Sequence, residues 1–389
     1  MIQLKTRWAD LVNENNSLPE YPRPNLVRNS YFNLNGKWDY CINKSKEVVE
    51  YDGKILVPYS PETLLSGVEK VVTPDDHLHY RKKFFLPDDF KKDRVILHFG
   101  SVDQECEVYL NGNLLGEHKG GYSSFAFDIT EFLVEQENEL KLTVRDATER
   151  TPHARGKQRY EKPKLMSSLF YTCQSGIWKT VWMESVASEY IEKIKITPLF
   201  DENAVEIFIK AQGNTEKAAI QIWDGENLLK EETVRVNQAV RVEIGDFKAW
   251  TPDTPHLYDV RISYNKDEVK SYFGMRKFHV GKDKRGILRF FMNNKPFFFN
   301  GILDQGYWPD GLMTAPSDEA LIHDIEKLKE LLDKTVDDPI HIVIFLAAYY
   351  GLRRSEVLGL KWSAVDFENK TVSVNHKVVQ NEKGVVGMD

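Results

Sequence analysis

At 389 residues, with 41% hydrophobic and 29% charged side chains, the chain is long enough for two to four domains, each with its own core. A net charge of −7 and a pI of about 5.9 exclude a protein that holds nucleic acid through bulk positive charge. Three widely spaced cysteines, Cys41, Cys106 and Cys173, offer neither a disulfide framework nor the spacing of a zinc site. The first ten residues include Lys5, Arg7 and Asp10 and lack the apolar run of a signal peptide. The longest apolar run, 342–350, is about half of what a bilayer requires. A cytoplasmic protein with no membrane segment, metal or cofactor is the expectation.

From about residue 30 to 280 the dominant pattern is strict alternation. Val95, Leu97 and Phe99 share one face of a strand, as do Cys106, Val108 and Leu110, and again Leu140, Leu142 and Val144. The second of these runs stops at Asn111-Gly112, a dipeptide suited to a type I′ hairpin because both residues must adopt positive φ. Aromatic richness, 8 Trp, 17 Tyr and 21 Phe, agrees with β-rich domains or with surfaces that stack on sugars. Short strands with Gly, Asn and Pro punctuation predict a β-sandwich over 1–188. A second, immunoglobulin-like sandwich is predicted over 189–282, where Val205, Ile207 and Ile209 alternate, as do Tyr258, Val260, Ile262 and Tyr264.

The period then changes. Residues 296–303 read as one apolar strand, and Ser317 opens a helix with Asp318 and Glu319 in its first turn and Leu321, Ile325, Leu328 and Leu332 at helical spacing. Beyond about 336 the pattern is a buried helix over 340–350, a stop at Gly351, a short helix over 355–360, and a β-hairpin around Val372, Val374 and Val378.

The motifs along 1–332 resemble those of the family 2 glycoside hydrolases, the β-galactosidase and β-glucuronidase family. They are LNGKW at 34–38, VPYSPETLLSGV at 57–68, YRKKF at 80–84, LHFGSVD at 97–103, VYLNG at 108–112, GEHKGGYSSFAFDIT at 116–130 and SGIWKTVWME at 175–184. WTPDTPHLY at 250–258 and FGMRKF at 273–278 resemble the signatures of that family's second domain. NGILDQGYWPDG at 300–311 and TAPSDEA at 314–320 resemble the first strand, loop and helix of its catalytic TIM barrel. The resemblance implies a mainly β chain: a jelly-roll sugar-binding-like sandwich over 1–188, an immunoglobulin-like sandwich over 189–282 and the truncated start of a barrel over 283–332.

If loops after barrel strands form the sugar-binding face, Asp304, Gln305, Trp308 and Asp310 stand at the pocket rim, Trp308 offering a flat ring to a sugar. An equally weighted reading has Tyr307, Trp308 and Pro309 packing that loop against the preceding domain. Retaining glycosidases use two carboxyl groups about 5–5.5 Å apart, which this family carries on later barrel strands, the acid/base after an Asn. The pairs Asn13-Glu14, Asn138-Glu139 and Asn381-Glu382 lie outside any barrel strand and read as solvated loops, so neither carboxylate is assigned.

From about 333 the sequence YYGLRRSEVLGLKWSAVDF at 349–367 and TVSVNHKVV at 371–379 resemble a tyrosine recombinase (phage integrase) catalytic domain. That implies a small α+β fragment over 333–389 in which Arg353 is the phosphate-clamping catalytic arginine. The family's later His-x-x-Arg motif and Tyr nucleophile are not found in the sequence, and residues 336–389 hold six Lys or Arg against seven Asp or Glu. DNA binding by this fragment alone is therefore not expected. The functional expectation is a glycosidase-like protein of carbohydrate metabolism without its catalytic pair, inactive, with weak carbohydrate contact and self-association through exposed barrel elements. The alternatives are a DNA integration or recombination protein, or a gene-fusion remnant. His77 and His79 share one strand face and read as structural; the loop at Arg155-Gly156-Lys157-Gln158 resembles one that reaches the sugar site in that family, with a plain surface loop as an equal reading.

Overall fold

The computed structural model describes residues 4–160, 170–299, 304–334, 338, 343, 354–366, 371–381 and 384–388. The chain divides into two compact units, one of Met1–Lys277 with Gly306–Asp318 and one of Phe278–Gln305 with Glu319–Asp389.

The first unit begins with a sandwich of fourteen strands: β1 (Phe32–Asn33), β2 (Gly36–Asn43), β3 (Gly53–Val57), β4 (His77–Phe84), β5 (Arg94–Phe99), β6 (Val102–Asp103) and β7 (Glu105–Leu110), then β8 (Asn113–Lys119), β9 (Phe125–Asp128), β10 (Asn138–Arg145), β11 (Gln158–Arg159), β12 (Tyr171–Thr172), β13 (Gly176–Ile177) and β14 (Val181–Val186). Its two main sheets run β3-β2-β4-β10-β7-β8 and β1-β14-β5-β9, every neighbour in both being antiparallel. Alternation places Trp38, Leu78, Tyr80, Val108, Leu142 and Val144 of the first sheet in one buried cluster with Val95, Leu97, Phe99, Val181 and Met183 of the second. The Asn111-Gly112 turn forms as read, with φ of 50° and 81° and Leu110 paired to Asn113. Cys41, Cys106 and Cys173 are buried and free.

The second sandwich comprises β15 (Tyr190–Leu199), β16 (Ala204–Gln212), β17 (Lys217–Asp224), β18 (Asn227–Arg235), β19 (Ala239–Glu243), β20 (Tyr258–Tyr264) and β21 (Asp267–Phe273). Three strands, β15-β16-β19, face four, β18-β17-β20-β21, around Ile207, Ile220, Ile222, Val260, Ile262 and Tyr264. Seven strands in a three-plus-four arrangement fit the immunoglobulin-like expectation.

The N-terminal segment seals the seam between the sandwiches. Val27 exchanges both backbone hydrogen bonds with Lys270 of β21, and Arg28, only 5% exposed, lies between carboxylates from both sides. Its Nε and Nη2 donate to Asp267 at 2.9 and 2.7 Å, and its Nη1 donates to Glu184 of β14 at 2.8 Å. Glu184 also receives Arg23 at 2.7 Å and His98 Nε2 at 2.9 Å. Burial pushes the Glu184 carboxyl up, but the His98 bond and the charges of Arg28 and Arg23 outweigh it and hold the group at about 2.

In the second unit, β22 (Phe278–Lys282), β23 (Leu288–Met292) and β24 (Lys295–Pro296) form a three-stranded antiparallel sheet. The single strand expected over 296–303 is present in its described part only as Pro296 at the end of β24. Residues 297–299 are not strand, and 300–303 lie outside the described residues. Phe278, Val280, Leu288, Phe290, Phe298 and Phe299 are exposed. Helix α1 (Asp318–Lys334) starts where Ser317 placed it and exposes Leu321, Ile322, Ile325 and Leu331. Helix α2 (Arg354–Gly359) is followed by the pairs β25 (Val365–Asp366) with β26 (Thr371–Val372) and β27 (Lys377–Asn381) with β28 (Gly384–Met388). Apart from residue 343, the helix read over 340–350 lies outside the described residues, as do Gly351 and Arg353. The described residues contain no closed barrel.

Arg28→Ala should cost about 3–5 kcal/mol of unfolding free energy, because it removes the buried cation shared by Asp267 and Glu184, whereas Arg94→Ala on an exposed pair should cost under about 1 kcal/mol. Urea midpoints of the two variants against the parent measure this. Since the folded Glu184 value lies below its ordinary 4.5, its stabilising contribution is full above about 4.5 and is lost as pH falls toward 2. Glu184→Gln should flatten that part of the stability profile.

Candidate functional site

One end of the first sandwich concentrates polar groups that the core cannot satisfy. Strand β6 carries Asp103, and its neighbour Gln104 begins the turn into β7. The Gly120-Gly121-Tyr122 loop folds over this pair: Gly120 N donates to Gln104 O at 2.8 Å, and both Ser101 Oγ and Trp178 Nε1 donate to Gly121 O, at 2.6 and 2.8 Å. Gly121 is required by proximity, since a Cβ there would stand 2.4 Å from the Asp103 carboxyl carbon. Tyr122 meets Trp178 edge to face, with ring centroids 5.8 Å apart.

Three carboxyl groups point into this end. Asp146 follows β10 and accepts Thr148 N–H at 2.7 Å and Ser175 Oγ–H at 2.9 Å. Glu62 is partly exposed as a residue but turns its carboxyl inward, where Oε2 accepts Ser175 N–H at 3.1 Å and Oε1 accepts Val72 N–H at 3.3 Å. Asp103 is 3% exposed. Burial raises all three, Glu62 to about 8 despite its backbone bonds. For Asp103 the charges of Asp146 and Glu62 add to burial, so the proton is retained. Burial likewise pushes the neighbouring Cys173 thiol up, which leaves it un-ionised and a poor nucleophile.

The loop at 155–158 joins this cluster. Gln158 Nε2 donates to Tyr122 Oη at 2.8 Å, and its Oε1 accepts Gln174 N–H at 2.7 Å. Gln104 Nε2, Thr148 Oγ1, His153 Nδ1 and Gln174 Nε2 are buried with no hydrogen-bond partner among the described residues. Raised carboxyls and unpaired amide donors thus lie buried together at this end, beneath the exposed Tyr122, and hydroxyl groups, which both give and take a hydrogen bond, are the partners they lack.

The residues singled out from sequence distribute differently. Segment 306–318 straps onto the first unit. Tyr307 stacks on Tyr171 at 3.8 Å, Trp308 meets Trp8 edge to face at 6.4 Å, and Thr314 Oγ1 donates to Trp178 O at 2.7 Å. Asp310, expected at a rim, is fully buried. Its Oδ2 accepts both Thr6 N–H and Thr6 Oγ1–H, at 2.7 and 2.6 Å, while Oδ1 is buried with no hydrogen-bond partner among the described residues. For Trp308 the geometry is that of the packing alternative. Asp304 and Gln305 are exposed and belong to the second unit. Asn138-Glu139 is no solvated loop: Asn138 is fully buried and opens β10, and Glu139 pairs with Lys141 at 2.5 Å. Glu14 is exposed and pairs with Lys37, while Glu382 lies outside the described residues. His79 is buried between Thr143 Oγ1 and Ser45 O, a structural role.

Residues 68–179 match the family model described as a glycosyl hydrolase 2 galactose-binding domain-like domain, and 189–276 match that of glycosyl hydrolases family 2. A β-glucuronidase of Streptococcus agalactiae is 23% identical over 300 residues, which are 72% of this chain and 48% of that one. A β-galactosidase of Thermoanaerobacter pseudethanolicus is 25% identical over 240 residues, 57% of this chain and 31% of that one. The chain thus spans less than half the length of either relative. Among solved structures, a Bifidobacterium dentium β-glucuronidase complexed with coumarin-3-O-glucuronide superposes with a TM-score of 0.63 at 20% identity, covering 81% of this chain and 57% of that one.

Asp103→Asn tests the carboxyl cluster. A carboxyl group whose folded value is raised makes the fold most stable at low pH, and that contribution is lost as pH rises through the folded value. The parent should therefore lose stability between about pH 4 and pH 8 from Glu62 and Asp103 together. The Asn variant should show a shallower loss in urea midpoints over this window.

Proposed function

We propose that this chain, which carries the N-terminal domains of glycoside hydrolase family 2, forms the sugar-recognising front of a β-glucuronidase- or β-galactosidase-like assembly and does not cleave glycosides by itself. The observation that carries this reading is the tip cluster of Asp103, Asp146, Gln104, Gln158 and Gln174 beneath Tyr122, with its unpaired amide donors. A sugar edge supplies adjacent hydroxyls that can pair with such donors and acceptors, and aromatic rings beside them exclude water from the apolar sugar face. The printed activities of the relatives, β-glucuronidase and β-galactosidase, support a glycoside as the ligand.

Hydrolysis needs more than recognition. A retaining enzyme opposes a nucleophile and an acid/base across the glycosidic bond, and enzymes remove about 8–23 kcal/mol from barriers of this kind. The oxygens of Glu62 and Asp146 are committed to backbone N–H groups and Ser175, which makes them loop anchors. Trp308 and Asp310 act as struts of the strap, whereas Asp304 and Gln305 are exposed.

For segment 333–389 we keep the recombinase-like reading as a second proposal. The order of α2 and the two paired-strand units supports it. With Arg353 as its one assigned catalytic group and no Tyr nucleophile assigned, this segment forms no covalent DNA intermediate.

The 389-residue protein should not turn over nitrophenyl β-galactoside, β-glucuronide or β-mannoside above the buffer rate. It should still give saturation-transfer NMR signals with methyl β-galactoside or methyl β-glucuronide that fade in Tyr122→Ala. Turnover abolished by Asp304→Asn would overturn the inactive reading. Equal signals from parent and Tyr122→Ala would move the sugar site away from the tip.

A further inference from the structure

The outer face of the six-stranded sheet, opposite the core, carries a groove that uses none of the tip residues. Cross-strand rows build its floor: Arg81, Lys141 and Tyr109 in one, and His79, Thr143 and Glu107 in the next. The loop after β2 forms a wall and is pinned to the sheet. His79 Nε2 lies 3.0 Å from Ser45 O, Asn43 Nδ2 donates to Glu47 O at 3.2 Å, and Lys46 pairs with Glu107 at 3.3 Å. Val49 at the crest of this wall is 99% exposed.

The groove encloses about 580 Å³, within the range of about 300–1,000 Å³ typical of ligand clefts. It continues into a hollow of about 290 Å³ that shares Lys46, Glu107 and Thr143 with it. Tyr51 and Tyr109 are among the residues that line the larger part. Tyr51 carries the Arg81 guanidinium over one face at 4.2 Å, and the Tyr109 phenol donates to Glu107 Oε2 at 2.9 Å.

The charges of this face are paired rather than bare. Lys46 pairs with Glu107, Lys141 with Glu139 at 2.5 Å, and Asp39 holds both Arg81 at 3.0 Å and Lys54 at 2.6 Å. In the hollow, Glu105 lies between Arg145 and Lys119 in the strand register, and Glu107 is opposite Glu117. A polyanion would have to displace acids that already hold these cations, and an apolar ligand would have to desolvate a charged floor. A peptide strand finds no free backbone, because these strands are paired on both sides. A neutral polyhydroxylated chain suits every part: sugar rings pack on Tyr51 and Tyr109, and hydroxyls bond the ion pairs without disturbing their net charge.

We propose that this face is a second carbohydrate-binding groove that takes an extended neutral oligosaccharide. Titration calorimetry of the 389-residue protein with cellohexaose and xylohexaose, beside hexagalacturonate, tests it. At least one neutral hexaose should bind with a Kd between high micromolar and low millimolar. Tyr51→Ala and Tyr109→Ala should each weaken it about 10-fold while leaving the melting curve in place. The proposal is overturned if neither neutral hexaose binds, if hexagalacturonate binds as tightly, or if both tyrosine variants keep the parental affinity.

Discussion

A single buried guanidinium governs how the first unit is put together. Arg28 bonds Glu184 from one sandwich, Asp267 from the other and the carbonyl oxygen of Ile191 on the first strand of the second. A hydrophobic seam tolerates sliding, but a planar fork of donors matched to two carboxylates admits one arrangement. The segment bearing Arg23, Val27 and Arg28 precedes both sandwiches in sequence and must fold back across their junction. The relative setting of the two β domains is therefore held by a piece of chain that belongs to neither sheet.

The same residue type meets the opposite fate at the tip. At the seam, cations surround Glu184 and hold its proton off. At the tip, Glu62, Asp103 and Asp146 are buried where burial dominates and their values rise. One carboxylate is a fixed charge that clamps; the others are hydrogen-bonding groups whose state depends on pH. A clamp gains from being inert, whereas a cluster of raised carboxyls carries both donors and acceptors, so burial with cations and burial without them give the same residue type opposite states.

The strands were legible because alternation is a local signal, and Val95 to Phe99, Cys106 to Leu110 and Leu140 to Val144 each fixed their own buried face. The Asn111-Gly112 turn and the start of α1 at Ser317 were local too. The tip cluster was not, since Glu62, Asp103, Asp146, Gln158 and Gln174 come together only through loops spread over more than a hundred positions, and no spacing rule joins them. The motifs at 97–103, 116–130 and 175–184 did mark its loops as distinctive, but only the fold brings those loops to one end of the sandwich. Asn138-Glu139 was misread as a loop for a related reason. Asn is a poor strand former by propensity, yet the Asn138 amide here donates to the Val134 and Gln136 carbonyl oxygens and its Oδ1 accepts Asn111 Nδ2–H, so its side-chain hydrogen bonds override propensity.

Asp310 shows why a residue in a loop after a strand is not thereby a ligand contact. In an intact barrel, neighbouring strands fix such a loop from below and leave its carboxylate free to face the pocket. Here the segment returns to the first unit, and the Thr6 backbone and hydroxyl both saturate one oxygen of Asp310. Freeing that carboxylate for a sugar would break two short hydrogen bonds and expose the Leu65 N–H that its backbone carbonyl oxygen accepts. The strap residues that do approach the tip are Tyr307, stacked on Tyr171, and Met313, whose N–H donates to Gln174 Oε1 and whose sulfur accepts from Gln158 Nε2. The strap thus meets the first sandwich through an aromatic face and a thioether, and its acid helps to hold them there.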